Sequence, residues 1–76
     1  MLNEKDFLKD LVKLLSATSE IEMETDLLDI DEWNSLSAME FLTMIKNNYG
    51  VVAEPYTVAE AILVEDLYNV VKNLLG

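Results

Sequence analysis

Seventy-six residues carrying fifteen carboxylates, five basic side chains and a net charge of −10 describe one small acidic domain spanning 1–76. Nucleic-acid backbones and anionic membranes would be repelled by such a chain, so the expected partners are basic protein surfaces. With no cysteine and no histidine, a disulfide framework and thiol catalysis are excluded.

Hydrophobic residues make up 51% of the chain and recur at helical spacing, so the domain is expected to fold rather than remain disordered. At about 0.05–0.15 kcal/mol per residue its stability would be roughly 4–11 kcal/mol, drawn from apolar packing alone. The opening Met1 to Asp6 lacks a basic region followed by an apolar run, and no window approaches the length of a membrane span. A soluble cytoplasmic protein, monomeric and without membrane insertion, is expected.

Helix one is predicted from about Asn3 to Ser16. Asn3 is the cap, Glu4 and Asp6 sit in the first turn where the helix dipole favours carboxylates, and Phe7, Leu8, Leu11, Val12, Leu14 and Leu15 follow at three- and four-residue spacing. From Ala17 to Asn34 the period lapses. Structureless connections of this length are uncommon in compact domains and are usually functional or disordered. Ile21, Met23, Leu27, Leu28 and Ile30 are interspersed among the acids, which predicts a loop pinned to the core, with Trp33 as an anchor.

Helix two is predicted from Ser35 to Asn48 or Tyr49, capped by Asn34 or by Ser35 itself and terminated by Gly50 in the left-handed conformation. Met39, Leu42, Ile45 and Tyr49 form its predicted apolar stripe, Met39 and Met44 are read as core or core-edge filler, and Leu36 and Thr43 lie nearer solvent. Val51 to Tyr56 is a connector. Thr57-Val58-Ala59-Glu60 then reads as a capping box opening a short helix three that ends near Ile62. A last helix begins at Val64 or Glu65. The expected fold class is all-α: a four-helix bundle of three longer helices and one short one, with a long loop between helices one and two.

The stretch Asp29, Asp31-Glu32-Trp33-Asn34-Ser35-Leu36, with the helix after it, resembles the acyl and peptidyl carrier proteins. The resemblance covers nearly the whole chain: its length, acidity, long first loop, serine opening helix two, short helix three and last helix beginning Val64-Glu65-Asp66-Leu67. It implies that Ser35 carries a covalent 4′-phosphopantetheine arm, derived from coenzyme A, whose thiol holds cargo as a thioester. The implied partners are a phosphopantetheinyl transferase, a loading ligase or acyltransferase, and a cargo-consuming enzyme, and the chain itself is not an enzyme. Asp31, Glu32, Asn34, Leu36, Glu40 and Thr43 are then the expected docking residues. The chain departs from the family at Asn34, where aspartate is usual. Asparagine keeps the shape and the capping ability but loses a charge, so modification of Ser35 is expected to be slower or to require a selective transferase. Lys46 is a second departure, at the often acidic end of helix two.

Elementary chemistry agrees with that assignment. A phosphodiester on Ser35 would lie against the free amides and positive dipole end of helix two. No self-contained nucleophilic triad is available, because the chain lacks histidine and cysteine and places no evident base beside a serine. The rival reading is an acidic helical adaptor whose Ser35 merely caps a helix. A cation site at Asp29, Asp31, Glu32 and Glu40 is a third, but in an EF-hand register Trp33 takes a ligand position and Asn34 the obligatory glycine position. The bland meaning of these acids is a solvated face. The residues do not name the cargo, although Asn34 points towards a specialised pathway rather than the housekeeping fatty-acid carrier.

Overall fold

The computed structural model describes residues 2–76 and is all-helical: α1 spans Glu4–Leu15, α2 Ser35–Tyr49, α3 Pro55–Ala59 and α4 Val64–Leu75, packed into a body of 30 × 24 × 19 Å. Each of the long helices starts and stops for local reasons. Asn3 Oδ1 accepts from the Asp6 amide at 2.8 Å to open α1, and Ser16, at φ 51°, closes it in the left-handed region. Asn34 opens α2, and Gly50, at φ 71°, donates its amide to the Lys46 carbonyl to end it. A side chain at Gly50 would meet strain from that φ, although the space beside it is open.

α2 packs against all three other helices. Its inner face is Ser37, Phe41 and Ile45, four residues apart, with Leu42, Met44 and Tyr49 at the margins. Phe41 meets Phe7 of α1 edge-on at 6.0 Å, Phe7 meets Tyr68 of α4 at 5.3 Å, and Leu11, Leu15, Val58, Val64, Leu67 and Val71 complete the interior. Far along α2, Asp10 Oδ2 accepts from the Tyr49 hydroxyl at 3.3 Å and the Asn48 amide at 3.5 Å, tying α1 to the end of α2. Burial and then the nearby Asp10 carboxylate hold the Tyr49 pKa above its ordinary value.

The expected stripe of α2 is corrected here. Met39 is exposed and Phe41 takes the core position, because the period that buries Ile45 also buries Phe41 and Ser37. Helix three is corrected as well. It opens at Pro55, whose fixed φ and missing N–H suit the first helical position, with Glu54 as the flanking residue. Thr57 therefore lies inside the helix rather than capping it, and Glu60 closes it.

The long first loop is held to the body as expected, though Leu28 is not one of its anchors. Ile21, Leu27 and Ile30 are buried, and Met23 and Trp33 are half-buried against the core. A single main-chain bridge, Asp26 to Leu63, ties it to the α3–α4 connector, where the Leu27 amide donates to the Ile62 carbonyl and the Val64 amide to the Thr25 carbonyl. A short 3₁₀ turn, Leu27–Asp29, follows, capped by Asp26 Oδ1 accepting from the Leu28 amide at 2.9 Å. Among the described residues, no helix is long and apolar enough to cross a membrane.

Candidate functional site at the entry of α2

The approach to α2 is fixed residue by residue. The Trp33 amide donates to the Ile30 carbonyl at 3.0 Å, and its ring lies edge-on to Phe41 at 6.2 Å, so the chain is pinned one residue before the cap. Asn34, in extended backbone, then turns its Oδ1 inward to accept from the Ser37 amide at 3.0 Å. The Ala38 amide closes the first helical turn on the Asn34 carbonyl at 2.9 Å. Asn34 is therefore the cap.

The choice of cap decides what Ser35 is free to do. As the first helical residue it is exposed, and its hydroxyl makes no hydrogen bond among the described residues. The Ser37 amide is already taken, which leaves the amides of Ser35 and Leu36 as donors of the first turn without a hydrogen bond among the described residues. α1 has Glu4 and Asp6 in its first turn and α4 has Glu65 and Asp66, whereas α2 has no acid there, although the chain carries fifteen. No fixed carboxylate in that turn competes for the positive end of the α2 dipole. An exposed hydroxyl, two free amides and an uncompensated dipole end can together accept and hold an anionic group.

Around this point Asp31, Asn34, Leu36, Glu40 and Thr43 are exposed. Leu36, Glu40 and Thr43 follow one another along a single side of α2, and the Thr43 hydroxyl turns back to donate to the Met39 carbonyl at 3.4 Å. Glu32 is different. It is half-buried, its carbonyl accepts from the Ser37 hydroxyl, and its carboxylate lies 3.5 Å from the Thr18 hydroxyl across the loop.

The exposure of Leu36 is as expected, whereas that of Leu28, Ile62 and Met39 does not follow from sequence periodicity. Leu28 is 89% exposed, Leu36 70%, Ile62 62% and Met39 55%. The Leu27–Ile62 main-chain bond brings the Leu28 turn beside the α3–α4 connector, so residues distant in the chain share one side of the molecule. No local signal marks an isolated bridge. The exposed Leu28 was legible only as an apolar residue beside turn-forming acids.

Among the described residues, no three His, Cys, Asp or Glu side chains are grouped closely enough to hold a metal ion. Clefts of about 500 Å³ beside Asp10 and Tyr49 and about 300 Å³ beside Val52, Tyr56 and Leu74 lie away from Ser35, and one of about 340 Å³ is lined in part by Glu40 and Thr43. Comparison with protein-family models, with curated proteins and with solved structures finds no match to this chain.

Proposed function

We propose that the chain is a carrier protein, modified on Ser35 with a 4′-phosphopantetheine arm and passed between enzymes in the cytoplasm without catalysing a step itself. The observation that carries this reading is the division of labour at the α2 entry: Asn34 caps the helix, so Ser35 is left exposed with its hydroxyl uncommitted. The ordinary meaning of a serine at a helix start is capping, and here another residue already does it.

The residues present suit the group. Ser35 Oγ would form the phosphodiester, and the amides of Ser35 and Leu36 in the same first turn would be available to its charge. Bound there, the arm supplies a terminal thiol on which an acyl or aminoacyl cargo rides as a thioester. The proton of the Ser35 hydroxyl has to leave with help from the visiting transferase, since the chain has no histidine and sets no base against that oxygen.

Docking rests on the surface around Ser35. Leu36 and Met39, in the first turns of α2, supply exposed apolar contact, and Asp31, Glu40 and the chain's net charge of −10 steer basic partners towards it. Asn34 keeps the cap while removing one charge beside the serine, which favours a transferase that does not depend on an aspartate there. Incubation with coenzyme A and a broad-specificity phosphopantetheinyl transferase tests the reading. One adduct, mapped to Ser35 by peptide mass spectrometry, supports it, and an unmodified chain under every transferase tried favours the adaptor.

A further inference from the structure

We infer that Ser37 is a positioning residue for the reaction at Ser35, holding the 32–34 approach against the first turn of α2 so that the neighbouring hydroxyl is presented in one orientation. This inference rests on the carrier reading.

Ser37 is the one buried polar side chain of the described residues, at 7% exposure, and it occupies a position of the α2 inner face otherwise held by Phe41 and Ile45. An alanine would bury as well there. The hydroxyl has a distinct task, because it donates to the Glu32 carbonyl, five residues back and outside the helix. The same residue's amide donates to Asn34 Oδ1, and its Oγ lies 3.4 Å from that atom. One residue thus engages the approach loop twice, at Glu32 through its side chain and at Asn34 through its main chain.

Between those two attachment points lies Trp33, independently pinned by its amide to Ile30 and by its ring to Phe41. The loop is therefore fixed at 32, 33 and 34, and Ser35 is the first residue beyond the last of them. Breaking the Ser37–Glu32 bond frees one attachment while leaving the Asn34 cap and the Trp33 contact in place. The clamp engages only the Glu32 carbonyl and the Asn34 cap, and the exposed docking residues Asp31, Leu36, Glu40 and Thr43 take no part in it, so a partner should still bind. What changes is the fraction of encounters in which Ser35 Oγ is correctly aimed, and alignment acts on the chemical step.

The test compares wild type, Ser37→Ala, Ser37→Thr and Asp66→Ala as substrates of a broad-specificity phosphopantetheinyl transferase with coenzyme A, alongside amide hydrogen exchange at residues 33–36. Asp66→Ala removes the side-chain acceptor at the α4 entry, which among the described residues makes no hydrogen bond to the 32–37 segment, and controls for general loss of stability. The expected result is that Ser37→Ala lowers kcat on the order of tenfold with KM nearly unchanged, and accelerates exchange at 33–36. Ser37→Thr, which retains the hydroxyl, should restore kcat, and Asp66→Ala should leave it at the wild-type value. Equal kcat in wild type and Ser37→Ala would overturn the positioning role while leaving the carrier reading intact. A wild-type chain that no transferase modifies would overturn the carrier reading, and with it the reaction Ser37 is said to serve.

Discussion

The entries of α2 and α4 answer the same problem, the unpaired amides of a helix start, in opposite ways. At α4 the help comes from inside the helix: the Asp66 carboxylate reaches back to accept from the Ile62 and Leu63 amides at 2.9 Å each. That end of the helix carries its own negative charge and presents no free hydroxyl. At α2 the help comes from outside, from Asn34, and the first turn contains Ser35, Leu36 and Ser37 with no acid. Both are helix starts in an acidic chain, but only the second leaves a nucleophile exposed and a dipole end uncompensated. A helix terminus alone is not a site; the neutral first turn and the displaced cap are what distinguish α2.

The most severe way to break this contrast is to remove the platform under the α2 entry. Phe41→Ala deletes the ring against which both Trp33 and Phe7 pack. A loss of about 3–5 kcal/mol is expected, a large share of the roughly 4–11 kcal/mol available to a domain of this size. Urea unfolding followed by Trp33 fluorescence should show the midpoint collapse, with Ser35 loading lost along with the fold.

Asp66→Ala attacks the other entry, with an expected cost of about 0.5–2 kcal/mol and no change in Ser35 loading. Its pH dependence has a definite sign. Hydrogen bonds from the Leu63 and Ile62 amides hold the Asp66 pKa below its ordinary value. The folded pKa therefore lies below the unfolded one, near about 3.9. The stabilisation is complete above that value and is lost as pH falls through the depressed folded pKa. Unfolding curves of wild type and Asp66→Asn should differ most near neutrality and converge in acid.

Asn34 separates the two functions assigned to the α2 entry. Asn34→Ala removes the cap, at a cost of about 1 kcal/mol, and should also slow loading. Asn34→Asp preserves the cap, changes stability by a few tenths of a kcal/mol at most, and should raise the loading rate with transferases that prefer an acidic neighbour. If both variants loaded at the wild-type rate, the cap would have no bearing on modification. The smallest stability effect is expected at the exposed apolar residue beside Ser35: Leu36→Ser should stay within about 0.5 kcal/mol of wild type while raising the transferase KM.

Much of this was readable from local chemistry, and the failures have physical causes. The ends of α1 and α2 were legible because Asn3, Asn34 and Gly50 each do what their side chain, or its absence, permits. α3 was misjudged because Thr57 and Glu60 have capping-box spacing, yet Pro55 two residues earlier already satisfies the requirements of a helix start. The face of α2 was misjudged because apolar residues surround it: Leu36, Ala38, Met39, Phe41, Leu42, Met44 and Ile45 leave no single stripe to select. A polar residue, Ser37, sits on the buried side, while Met39 faces out; Leu36 is exposed, as its position predicts. That inversion of the usual pattern falls beside the proposed attachment point, which is where a sequence is expected to depart from folding rules if the site is functional. The tie between Leu27 and Ile62 had no local signature, since a lone main-chain bridge needs no particular side chains.

The most direct measurement is intact and peptide mass spectrometry of wild type and Ser35→Ala after incubation with coenzyme A and a broad-specificity phosphopantetheinyl transferase. A single phosphopantetheine adduct is expected on the wild-type chain, located at Ser35, and none on Ser35→Ala. An unmodified wild type, or an adduct that persists in Ser35→Ala, would contradict it.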